Sequence, residues 1–155
     1  MTKSRILDIV LTVFVSFVFI QSLFFKFAGA PETVHIFSTL DAWAASAFGL
    51  EGLFNPGGIF SAKVVGSAEL VASAALLAGL FLKKQILQLG GALLGLGVIS
   101  GAIIFHLFTP LGVVVENAAL GVESDGGTLF AMAVAVFISC AVMAFRKKSA
   151  LPFGA

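Results

Sequence analysis

Residues 61–82 read SAKVVGSAELVASAALLAGLFL, an apolar run that carries a carboxylate, Glu69. Glu69 stands about eight residues into the run, roughly 12 Å along a helix axis. In a membrane span that depth is past the headgroups, where a charge costs on the order of a few kcal/mol unless it is protonated, paired or wetted. Its helical neighbours at i−3 and i+4 are Gly66 and Ser73, so one face of the run is small and polar and suited to close contact with another helix. The rest of the chain is read for the partner that this face requires.

The composition is that of a polytopic membrane protein. Of 155 residues, 59% are hydrophobic and 11% charged, against about 25% charged in an ordinary soluble domain. Phenylalanine is abundant (17) and tyrosine absent. The single cysteine, Cys140, lies inside an apolar run; it excludes an intramolecular disulfide and a paired-thiol relay, and suits apolar packing. No zinc-ligand cluster and no catalytic or metal-binding motif stands out, and no glycine-rich loop follows a strand to cradle a nucleotide phosphate. No nucleic-acid partner is expected.

Four runs, residues 6–27, 61–82, 86–108 and 128–145, are each about 18 to 23 residues long, against the ~20 needed to cross a bilayer. The sequence therefore predicts an all-α fold: one transmembrane domain over residues 1–155, built as an up-down four-helix bundle. Orientation follows from the basic residues. Lys3 and Arg5 precede the first run, Lys83 and Lys84 join the second to the third, and Arg146, Lys147 and Lys148 follow the fourth. Four crossings put all of them on one side, with Asp8 as that side's acid. The opposite side and its half of the membrane hold Glu32, Asp41, Glu51, Glu69, Glu116, Glu123 and Asp125, with Lys26 and Lys63 as cations. The positive-inside rule then places both termini in the cytoplasm, and the expected location is the cell's inner membrane. The basic start and Ala28-Gly29-Ala30 resemble a cleaved signal, but the apolar run is long for one and Lys26 interrupts its end, so an uncleaved first span is expected.

Between the first two runs, Pro31 and Glu32 are a good helix start, and Val34, Phe37, Leu40 or Asp41, Ala44 and Phe48 recur at helical spacing. Residues 31–48 are predicted to form an amphipathic helix on, or tucked into, the outer bilayer surface, with Trp43 as an interface anchor. Asn55-Pro56-Gly57-Gly58 reads as a turn. The third run carries Gly91-xxx-Gly95 and Gly97-xxx-Gly101, small-residue patterns that suit close helix contact within the bundle or between copies in a homo-oligomer; the intramolecular seam is preferred. Asp125 or Thr128 is expected to cap the fourth span.

The ionisable residues at membrane depth gather on the outer side. Lys26 ends the first run, Lys63 and Glu69 lie on the second, and His106 ends the third. An up-down bundle brings Lys26, Glu69 and His106 to one level from different helices. Each has a plainer reading: Lys26 and Lys63 snorkel to the interface, and His106 is a hydrogen-bonded packing residue. For Glu69 the plainer reading is a structural ion pair. Gln21 extends the polar track or solvates a neighbouring backbone group; His35, with Glu32, lids the chamber or faces water. If the side chains point inward, the result is an outward-opening polar chamber over an apolar floor, suited to a lipid-like ligand, a quinone or a partner's transmembrane segment.

The stretches FFKFAGAPE (residues 24–32), VVGSAELVASAALL (64–77), FHLFTPLG (105–112) and VESDGGTLF (122–130) resemble, in their content and order, the DoxX-like family of small membrane proteins. The resemblance implies a four-helix membrane bundle and marks Lys26, Glu69 and His106 as recurring polar positions. It also implies a choice of roles, since some members look like membrane subunits of quinone-linked redox enzymes and more distant relatives act as assembly chaperones for multi-span receptors. Three functions follow in order of preference: a binding or assembly module, a quinone-binding subunit of an oxidoreductase complex, and a small transporter. The apolar inner half argues against a hydrophilic path for the last.

Overall fold

The computed structural model describes residues 3–116 and 124–150; Glu123, counted above among the outer-side acids, and the start of the VESDGG stretch lie outside the described residues. Among the described residues the chain is helical, without strands: α1 (Lys3–Ala28), α2 (Pro31–Phe48), α3 (Ala62–Phe81), α4 (Gln85–Phe108) and α5 (Thr128–Lys147), followed by a 3-10 turn, Lys148–Ala150. All but α2 are long and apolar enough to cross a membrane, the pattern of a multi-pass membrane protein. Their outer surfaces agree with an apolar solvent: Phe24, Phe81 and Phe108 are each more than 70% exposed, an arrangement that water would penalise and lipid does not.

The core between these helices is small-residue packing around a few large side chains. Val15 and Phe19 of α1, Ala72 and Leu76 of α3, Ala92 and Ile99 of α4, and Val136, Cys140 and Met143 of α5 are buried together. The first glycine pair of α4 is the seam that admits this. A Cβ on Gly91 would stand 2.8 Å from the Ala72 carbonyl oxygen, and one on Gly95 would stand 3.0 Å from Cys140 Sγ. Gly97 and Gly101 meet nothing within 4 Å. The two small-residue patterns thus have different surroundings, although the sequence writes them alike.

At one end, α1 and α5 are clamped by charge. Asp8 accepts from Arg146 Nε at 2.9 Å and from Lys147 Nζ at 2.5 Å, and Arg146 also reaches the hydroxyl and carbonyl of Ser4. One turn inward, Thr12 faces Met143 Sδ at 3.6 Å. The basic cluster marked above as an orientation signal therefore has a packing role, and Asp8 is the residue that gives it one. Three buried polar atoms, Ser16 Oγ, Ser73 Oγ and Gln88 Nε2, have no hydrogen-bond partner among the described residues.

At the other end, α2 covers residues 31–48, with Pro31 in its first turn and Gly49 as a left-handed C-cap. Its stripe is narrower than the spacing predicts. Leu40 and Ala44 are buried with Phe54, Leu111 and Val115, whereas Val34 and Phe48 are exposed. Asp41 interrupts the stripe for a reason: its carboxylate accepts from the N–H groups of Phe54 (2.9 Å) and Gly52 (3.3 Å), holding the 49–60 loop against the helix. The 55–58 turn is closed by Gly58 N–H donating to the Asn55 carbonyl at 2.7 Å, and Ser61 caps α3.

Candidate functional site

Glu69 and Lys26 meet. From the third turn of α3, Glu69 points at α1, where Gly66 one turn earlier lets Phe27 and Leu23 come close. Lys26 Nζ donates to both carboxylate oxygens at 2.8 Å, and also to Ser22 Oγ one turn back on α1. The pair is well shielded, with side-chain exposures of 14% for Lys26 and 6% for Glu69. An ammonium has three donors and no acceptor. Here all three are used, so the buried carboxylate is neutralised and the lysine saturated in one step. Ser22 was not singled out from the sequence, although its i−4 spacing from Lys26 was the available signal.

Lys26 also has a second place in the structure. It forms part of the wall of a cleft of about 400 Å³ between the exit of α1, the first two turns of α2, the Phe54–Pro56 segment and the start of α3. Thr33, Phe37, Ser38, Phe54, Asn55 and Lys63 are among its other lining residues. The cleft is therefore amphipathic, lined by phenylalanine side chains and small polar groups, at the end of the bundle that carries α2 and the 49–60 loop. The sequence marks Asn55 and Pro56 only as a turn, because the convergence of these residues on a cleft depends on how the 49–60 loop folds under Asp41.

The remaining site candidates lie elsewhere. His106 is buried at the end of α4, where its Nδ1 lies 2.6 Å from the Gly112 carbonyl oxygen and its ring packs edge-on to Phe130, centroids 5.7 Å apart. A carbonyl only accepts, so Nδ1 carries the proton. His35 is half-buried on α2, and its ring makes no hydrogen bond among the described residues; Gln21 is exposed on α1. None of these three lines the cleft. Among the described residues no group of His, Cys, Asp and Glu could hold a metal ion.

His106 instead belongs to a latch between α4 and α5. Asp125 Oδ1 accepts from the N–H groups of Val115 (2.8 Å) and Gly127 (3.0 Å), and Oδ2 from that of Leu129 (2.9 Å) at the start of α5. The N-cap position of α5 is Gly127, which has no side-chain cap, and Asp125 two residues before it, rather than Thr128, supplies the acceptor for the first turn. Burial alone pushes the Asp125 carboxyl up, but the three N–H donors, with the field of His106, outweigh it and hold the group below its ordinary value. Gly126 and Gly127 both have φ in the left-handed region, 61° and 81°, which explains why glycine follows the aspartate twice.

No family model, no curated protein and no solved structure matches this chain. The case for its function rests on its own geometry.

Proposed function

We propose that this chain is a DoxX-like membrane protein of the inner membrane, an up-down four-helix bundle with both termini in the cytoplasm, and that it works as a binding or assembly module. Its cleft takes a lipid-like molecule or a transmembrane segment of a partner. The observation that carries this reading is the double place of Lys26: its ammonium is locked by Glu69 and Ser22 while the residue also lines an amphipathic cleft. A pair of ions at membrane depth is costly to build and is seldom kept for stability alone. Here it fixes the relative position of α1 and α3 where the cleft needs a firm wall.

The topology is supported by which ends meet. Asp8 lies against Arg146 and Lys147 at one end, and Lys26 lies against Glu69, with His106 against Phe130, at the other. Lys3, Lys83, Lys84 and Lys148 join the first set. A cysteine placed at Asn55 in a cysteine-free background (Cys140→Ala) should react with a membrane-impermeant maleimide on intact cells, and one at Lys84 should not.

Binding is tested by mass spectrometry of organic extracts from gently purified protein and from Ser38→Trp, which fills the cleft from α2. A molecule enriched with the wild type and lost with the variant supports a small-molecule occupant; a quinone in that fraction would move the role toward a redox subunit. A photo-crosslinker at position 38 that captures one defined membrane protein supports the assembly role. Failure of both would overturn the proposal.

A further inference from the structure

We infer that the cleft and the groove beside it form one site for a single-chain amphiphile with an anionic headgroup, drawn from the adjoining bilayer leaflet, with Lys63 as the headgroup's counter-ion. The inference deepens the binding reading above and rests on it. A second hollow of about 400 Å³ lies on the bundle surface between α1 and α3, and all its lining residues are apolar: Ile20, Leu23, Phe24, Phe27, Ala28 and Leu70. Phe27 and Ala28 line the cleft as well, so the two spaces share a wall at the exit of α1. An amphipathic compartment that holds Lys63, Thr33, Ser38 and Asn55 thus adjoins a wholly apolar one on the outward face of two long apolar helices. That is the shape of a headgroup site with a place for a chain.

The sign of the headgroup follows from the charges. Lys26 has no donor left to offer, since Glu69 and Ser22 take all three. Lys63, in the first turn of α3, also lines the cleft, and its ammonium has no hydrogen-bond or ion-pair partner among the described residues. No acidic side chain is among the lining residues described. With the Lys26–Glu69 pair neutral, the cleft carries one uncompensated positive charge beside the hydroxyls of Thr33 and Ser38 and the amide of Asn55. A carboxylate or phosphate monoester on a chain satisfies that charge; a neutral alcohol leaves it unused, and a cationic head is repelled.

The test compares palmitate with hexadecanol, which share a chain and differ in charge, by native mass spectrometry of the full chain released from mild detergent. Wild type should hold palmitate at least about tenfold more tightly than hexadecanol, the range expected for a charge-assisted contact. Lys63→Gln should erase that preference by weakening palmitate alone, and Lys63→Arg should keep it. Leu70→Trp, a change on an exposed position, should weaken both ligands. Millimolar inorganic phosphate should displace neither, which separates an amphiphile site from a site for a free anion. Equal binding of palmitate and hexadecanol, an unaltered preference in Lys63→Gln, or displacement by phosphate would overturn the inference. If the two ligands bind equally and Ser38→Trp loses both, the binding reading stands and the anionic headgroup falls. If Ser38→Trp changes nothing, the cleft is not the amphiphile site and the small-molecule form of the binding reading falls, leaving the partner-segment form to the crosslinking test.

Discussion

Removing either half of the Lys26–Glu69 pair should destabilise the protein, but by unequal amounts. The ammonium lies 2.8 Å from both carboxylate oxygens, a gross attraction of about 6 kcal/mol at an effective dielectric of 20, most of which offsets the desolvation of the two ions. Lys26→Met leaves Glu69 in place with 6% of its side chain exposed and Ser22 as its remaining polar neighbour on α1. A buried charge stripped of its partner costs about 3–5 kcal/mol. Glu69→Leu leaves the other ion, which has an escape. Lys26 stands two residues from the end of α1, so its flexible stem can carry the charge to the interface, and the loss should be only about 1 kcal/mol. The double change Lys26→Met/Glu69→Leu should fall within about 1 kcal/mol of wild type, since an apolar pair replaces the ionic one. Reversible SDS titration in mixed micelles, followed by the fluorescence of the single tryptophan, Trp43, measures all four proteins. The reasoning fails if Glu69→Leu costs as much as Lys26→Met, or if the double variant loses the sum of the single losses.

Other expectations follow from the same structure. Asp125→Ala should loosen the latch by about 2 kcal/mol, the upper range for a lost helix cap, seen as faster hydrogen exchange at the Val115, Gly127 and Leu129 amides. Because the folded protein holds the Asp125 carboxyl below its ordinary value, it binds fewer protons than the unfolded chain; the latch's contribution is present above about pH 4 and is lost as pH falls through the folded value. Protection factors at those amides in the wild type, referred to the intrinsic exchange rate at each pH, should therefore fall on acidification, and a flat profile would contradict the assignment. Gly91→Ala should cost about 1–3 kcal/mol by overpacking against Ala72 and Leu76, whereas Gly97→Ala, with nothing within 4 Å, should leave SDS resistance unchanged or slightly raised. Asp8→Asn should cost about 3 kcal/mol, because Asp8 and Lys147 are both buried and the ammonium loses its carboxylate; a loss above that of Lys26→Met would show that the clamp is the stronger of the two.

Much of this was legible in the chain. Helix positions are set by local apolar content and caps: α2 covers residues 31–48 as Pro31 and the helical spacing require, and α3 begins directly after its cap at Ser61. The partner of Glu69 could be anticipated, because few ionisable groups lie at that depth and one had to answer it. The place of His106 could not. A histidine at the end of a span looks the same whether it turns into a chamber or back to a carbonyl, and the choice depends on the path of residues 109–116, which brings the Gly112 carbonyl to it. The two glycine pairs of α4 are likewise indistinguishable by pattern, because the rotation of a helix about its axis is fixed by its neighbours.

By itself the sequence determined the class of solvent, the number of long apolar helices and the need for Glu69 to be paired, protonated or wetted. Those follow from transfer free energies and from the high cost of an uncompensated charge away from water, which no packing arrangement can evade. Only the tertiary structure decided that Lys26 is saturated and Lys63 left over, that Asp41 folds a loop into the wall of a cleft, and that Asp8 rather than solvent receives Arg146 and Lys147. These are choices among partners of similar chemistry, and they are made by distance and direction, which exist only once the helices have packed.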